Sequence, residues 1–244
     1  MDKGTYTPAS EEVSETDIET SEQTTPSLLE VPLEEQQTLE SADEYTKSEA
    51  EEVKEETTEE QMETILSGSN FSLSQLEDRG WILSSDTPTS LVIKGFEGYL
   101  SEAKDDYGQM TNGFGTEADS PDETITLEEA QKRLLARIES DEKLVEEFGE
   151  KHDYIWRANE KMALVSFIFN GGYDWLKEVS GLWEWERDED GNKTKLIPSG
   201  KPKRDKEEMA QKMLLYYNAG GQPLTGLRKR RELEVKLFEG ILKI

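Results

Sequence analysis

The chain contains no cysteine and a single histidine, His152. Without thiols there is no disulfide framework, no Cys-ligated zinc and no Cys-His catalysis. Ser-His-Asp chemistry would hang entirely on His152, whose setting in Glu150-Lys151-His152-Asp153 suggests a surface or helix-end residue. Apolar bulk is also scarce. The first 70 residues hold no Trp and no Phe, only Tyr6 and Tyr45, and all five Trp lie after residue 80. No 18-residue apolar run exists, so no transmembrane helix is expected. The N-terminal MDKGTYTPASEEVSE lacks the apolar stretch of a secretory signal. Synthesis in a host cytoplasm without a signal peptide is therefore expected.

Positive charge is in short supply throughout, with 28 Lys+Arg against 55 Asp+Glu and a net charge of −27. The deficit is uneven: residues 1–70 hold 21 acidic against 3 basic side chains, and residues 71–244 hold 34 against 25. A segment so acidic and so poor in apolar bulk does not offset its chain entropy by burial. Residues 1–66 are accordingly read as a disordered acidic arm or linker, residues 67–87 as a connector and residues 88–244 as one domain. Removal of residues 1–66 is expected to leave the fold intact. No nucleic-acid partner and no membrane insertion are expected.

Within the domain, Asp86-Thr87-Pro88 marks a helix start, and Leu91, Val92, Gly95, Phe96 and Tyr99 follow helical spacing. That places Glu97 near the end of a short buried helix, with Val92 and Phe96 as an apolar wall able to disfavour its charged form. A pairing of Glu97 with a lysine or arginine is the plainer alternative. Asp105-Asp106-Tyr107-Gly108 reads as a turn and Gln109–Phe114 as a strand of a small sheet. Thr126 with Glu129 caps a helix running to about Glu139, followed by a second from Asp141 to Phe148. Asn159–Asn170 is apolar nearly all round and should be the central helix, ended by Gly171-Gly172. Trp183–Arg187 and Lys193–Ile197 form a hairpin with a charged tip, whose Trp183 and Trp185 either stack on sugars or pack the hairpin. Two helices, Glu207–Tyr217 and Leu227–Ile244, close the chain, with Arg228–Arg231 either salt-bridged into the domain or drawn to an anionic polymer. A carboxyl on a helix opposite a carboxyl on a turn suits glycoside hydrolysis, in which one group holds a proton and the other stays ionised.

Three blocks in order resemble the phage-type lysozymes, glycoside hydrolase family 24. They are Phe96-Glu97-Gly98 through Ala103, Asp106, Gly108, Thr111 and Gly113-Phe114-Gly115; then Ala163–Gly172; then Tyr217–Gly221 with Gly226–Glu234. The resemblance implies an α+β fold, a mostly helical lysozyme-like domain with a small β-sheet lobe, and a cleft that binds glycan. It implies a muramidase that cleaves the β-1,4 bond between N-acetylmuramic acid and N-acetylglucosamine of bacterial peptidoglycan, by inversion. The family's general acid falls on Glu97, its aspartate on Asp106 with Asp105 as the alternative, and its threonine on Thr111. No cofactor and no metal are implied. Lys104, Asn112 and Thr116 depart from the family's usual residues, and the stretch from Trp183 to Lys206 is longer than usual. The acidic arm raises a second reading, a virion-associated structural or wall-binding protein of reduced or no activity, tethered to a virion or tail protein and carried in the virion.

Overall fold

A computed structural model describes residues 58–106, 109–219 and 222–244, without the side chains of Asp106 and Ala219. The first helix, α1 (Glu59–Leu66), begins on a reciprocal cap: Gln61 N donates to Thr58 Oγ1 at 3.2 Å and Thr58 N to Gln61 Oε1 at 2.7 Å. Its Met62, Ile65 and Leu66, spaced i, i+3, i+4, are all buried in the main core. This corrects the expected boundary, since the proposed arm's last residues are an integral helix. Residues 1–57 lie outside the described residues. The connector expected at 67–87 contains α2 (Leu73–Asp78), whose Leu73 and Leu76 join the same core.

Helix α3 (Pro88–Glu97) starts where Thr87 and Pro88 predicted, with Ser90 N donating to Thr87 Oγ1 at 3.2 Å. It packs against α1 and α2. A Cβ on Gly95 would stand 2.6 Å from Leu66 Cδ2, so only glycine admits this approach. One residue earlier Lys94 is completely buried. Its Nζ donates to Asp86 Oδ2 at 2.6 Å and to the Trp81 carbonyl at 2.7 Å, and lies 4.6 Å from the Phe114 ring centroid. Burial lowers the Lys94 pKa, with the Asp86 hydrogen bond and charge acting in the opposite sense. Lys94→Met leaves the buried Asp86 carboxylate without its cation and should cost about 3–5 kcal/mol, and adding Asp86→Asn should recover part of that. Denaturant unfolding of both variants measures it.

A three-stranded antiparallel sheet follows, β1 (Leu100–Asp106), β2 (Gln109–Gly113) and β3 (Thr116–Glu117), in that order. The pairing Lys104 with Thr111 and Asp106 with Gln109 sets the register. Tyr107 and Gly108 of the expected turn lie outside the described residues. Trp81, Tyr99 and Phe114 form an aromatic cluster that joins this lobe to α3.

Helix α4 (Leu127–Lys151) is one continuous helix of 25 residues, where two were expected. Nothing at Glu139–Asp141 breaks it: Asp141 is buried and its Oδ2 accepts from Arg137 Nε, one turn back, at 2.8 Å. His152 caps the end and its ring packs on Phe148 at 4.6 Å. The central helix α5 (Ala158–Gly171) packs against α3, α4, α6 (Tyr173–Val179) and α8 (Thr225–Phe238). The hairpin β4 (Trp183–Arg187) with β5 (Lys193–Pro198) forms in the expected register zone, followed by α7 (Lys206–Met213) and a two-residue pair β6 (Asn218–Ala219) and β7 (Gln222–Pro223). Helix α6 and the pair β6–β7 carry no strong sequence signal and were not expected. The last helix ends at Phe238, before Gly240, rather than at Ile244. Among the described residues no helix is long and apolar enough to cross a membrane.

Candidate active site

Between the sheet lobe and the helical body lies a cleft of about 530 Å³, lined by Glu97, Lys104, Asp105, Thr111, Arg137 and Asn170 among others. Helix α3 ends at Glu97, and Gly115 of the β2–β3 turn comes in beside it. Gly115 has φ +77°, and a Cβ there would stand 2.9 Å from Glu97 Oε2. The glycine spacing after Thr111 therefore lets the sheet close on the carboxyl.

Glu97 is partly exposed, with 24 % of its side chain accessible, and its Oε1 accepts from Arg230 Nη1 on α8. The expected apolar wall is present, since Val92 and Phe96 are buried, but it carries a cation: the Arg230 guanidinium lies 5.2 Å from the Phe96 ring centroid. Sequence reading foresaw a lysine or arginine as an alternative partner for Glu97 without identifying which. The signal was present in α8, where Arg230, Glu234 and Leu237 share one stripe at helical spacing, so the charges fall on the buried face.

Thr111 is half-buried on β2, paired with Lys104 on β1 and Glu117 on β3. Gln109, two residues away on the same strand face, lines the cleft as well. Asp105 also lines the cleft. Asp106 stands opposite Gln109 in the backbone register, and its side chain lies outside the described residues. The structure thus brings Glu97, Thr111 and Asp105 to one cleft, and Asp106 follows Asp105 at the end of β1.

The departures noted in the sequence have structural places. Lys104 lines the cleft opposite Thr111. Asn112 alternates inward, is fully buried, and donates from Nδ2 to Glu123 Oε2 at 2.9 Å. Thr116 is buried behind it, its Oγ1 donating to the Asn112 carbonyl at 3.3 Å. Glu123 also accepts from Arg133 Nη2 at 2.6 Å and from the Asp119 amide at 2.8 Å, which ties β2 to α4. Trp183 packs on Phe148 and His152, and Trp185 Nε1 donates to Glu178 Oε2 at 2.9 Å, so both tryptophans serve hairpin packing and neither lines the cleft.

Hydrogen bonds from Arg133, then from the Asp119 amide and Asn112, hold the Glu123 carboxyl down at about 2. A carboxylate with a depressed folded-state pKa contributes stability that is complete above its ordinary value, near 4.5, and is lost as pH falls toward 2. The melting temperature of Glu123→Gln should therefore lie below that of the parent at pH 6, and the gap should close by about pH 2. Thermal melts across that range test the sign.

Among solved structures the chain is similar to the muramidase domain of SpmX from Asticaccaulis excentricus, at 24% identity and TM-score 0.45, covering 63% of this chain and 95% of that one. It is similar to the endolysin of Escherichia coli O157:H7 phage FAHEc1, at 25% identity and TM-score 0.43, over 64% and 93%. The active form of the P1 phage endolysin Lyz matches at 19% identity and TM-score 0.48, over 69% and 92%. No curated protein sequence matches significantly. The family model of phage lysozymes matches residues 94–234, more than half of the chain and the whole span from the Glu97 helix to Glu234: the chain belongs to the phage lysozyme family, lysozyme-type glycosidases that act on peptidoglycan.

Proposed function

We propose that the protein is an endo-acting muramidase that hydrolyses the β-1,4 bond between N-acetylmuramic acid and N-acetylglucosamine with inversion at the anomeric carbon. The observation that supports this best is the convergence of Glu97 and Thr111 on one cleft between sheet and helices. Glu97, at the end of a rigid helix, is the general acid that delivers a proton to the leaving oxygen. Asp106 is the base that draws a proton from water on the opposite face of the sugar, with Asp105 next to it on the same strand as the second candidate. The Thr111 hydroxyl accepts and donates hydrogen bonds and orients that water. An inverting reaction needs room for the water between the two carboxyls, which an open cleft of this size supplies.

Lys104 and Arg137 place cations among the carboxylates of the cleft, in a chain whose net charge is −27. They offset local repulsion of an anionic wall strand. The test is digestion of purified peptidoglycan with identification of the products. Muramic acid at the new reducing ends, released first as the anomer opposite to that in the strand, is the expected result. N-acetylglucosamine at the new reducing ends, or binding of the wall with no new ends, refutes the reading. Asp105→Asn and Asp106→Asn, run in the same assay, separate the two aspartates, and the greater loss is expected for Asp106.

A further inference from the structure

The helical wall of the cleft is anchored from behind by one buried carboxylate. Glu234 on α8 is fully buried, and its Oε1 accepts from Ser166 Oγ at 2.7 Å, Arg230 Nε at 3.1 Å and Arg231 Nη2 at 3.1 Å. Its Oε2 lies 3.0 Å from Arg231 Nε. Both arginines are buried too, and each reaches forward to a residue of the cleft: Arg230 to Glu97, and Arg231 Nη2 to Asn170 Oδ1 at 3.0 Å. Arg230 also donates to the Ser166 carbonyl at 3.1 Å, and Arg231 lies 4.8 Å from the Phe167 ring centroid. With Glu97 ionised, the two arginines and two glutamates balance; with Glu97 protonated, the group carries one positive charge. Burying three charged groups beside a partly exposed fourth is an inefficient way to gain stability, because apolar side chains of similar volume do as well or better.

We propose that Glu234 is a positioning residue for Glu97: it shares the charge of Arg230 and Arg231 from behind, and so sets how strongly those two cations act on the Glu97 carboxyl at the cleft wall. This rests on the reading of Glu97 as the general acid. Were Arg230 and Arg231 unopposed, their field would favour the ionised carboxylate and strip Glu97 of the proton it must deliver. Among the described side chains the other charged groups lining the cleft are Lys104, Asp105 and Glu117 on the sheet and Arg137 on α4, and Asp106 follows Asp105 on β1. They are the same in every variant below, so differences between variants report the buried network.

The experiment is a charge-balance series of Glu234→Gln, Arg231→Met and the double variant, read by the pH profile of turnover and by carboxyl-carbon NMR titration of Glu97, whose signal is assigned by its loss in Glu97→Gln. Removing the Glu234 charge leaves an excess cation, so the alkaline limb of the rate profile should move to lower pH by about one unit. Removing the Arg231 charge should move it the other way, and the double variant should return near the parent. The Glu97 titration should shift in the same directions. A network that only braces the fold would lower the melting temperature and leave both profiles where they were, which overturns the proposal. If one single variant does not fold, the opposite single variant and the charge-neutral double still give the sign. Should the Glu97 titration follow the series while the parent leaves the wall intact, the charge sharing stands and the general-acid reading fails.

Discussion

Glu97→Gln should reduce peptidoglycan cleavage by about a thousandfold, the middle of the range for losing a general acid. The amide keeps the size and hydrogen-bonding reach of the acid but has no proton to give. The fold should tolerate the change, because Arg230 keeps two other partners, the Glu234 carboxylate and the Ser166 carbonyl. A melting temperature within a few degrees of the parent together with lost cleavage separates a chemical role from a structural one. Sedimentation with the wall should persist, since most of the cleft lining is untouched. Retained cleavage in this variant would remove Glu97 from the mechanism.

A chain beginning at Ser67 should lose most of its cooperative unfolding relative to one beginning at Thr58. The difference between the two is α1, and with it the buried Met62, Ile65 and Leu66. Truncating one such side chain costs about 2–5 kcal/mol, and the three together approach the roughly 5–15 kcal/mol that holds a whole domain. The loss should reach the candidate site, because Leu66 packs against Gly95, two residues before Glu97 at the end of its helix. Circular dichroism melts of the two truncations decide it. Equal melting temperatures would mean that α1 is dispensable. This corrects the end of the arm expected at residues 1–66, whose last eight residues form α1.

That error has a physical origin. Averaged over 70 residues, the acidic composition conceals a short segment with its own signals: a Thr58–Gln61 cap and three apolar residues at i, i+3, i+4. The same local signals succeeded elsewhere. Thr87-Pro88 fixed the start of the Glu97 helix, Thr126 the start of α4, and the alternation around an Asp–Gly–Asn tip the β4–β5 hairpin. The extra break placed inside α4 came from reading Asp141 as a helix opener, whereas tertiary burial and Arg137 keep it inside the helix. Within the site, Glu97 and Thr111 were legible because they sit among turn and glycine signals of one short block. Arg230 was not identified as the partner of Glu97, because the contact spans 133 residues and follows only from how α8 lies across α3 and α5. Asn112, noted as a departure, acquires meaning only once Glu123, itself held by Arg133, is seen to accept its amide.

The position of α8 also orders events during synthesis. A ribosome lays down Glu97 and the sheet early, and domains form as the chain emerges. Arg230, Arg231 and Glu234, which hold Glu97 and Asn170 in place, come 133 and more residues later. A nascent chain therefore carries Glu97 long before it carries the arginine that pairs with it. The contacts that hold Glu97 and Asn170 form only when the last helix docks, so a chain that ends before α8 lacks both.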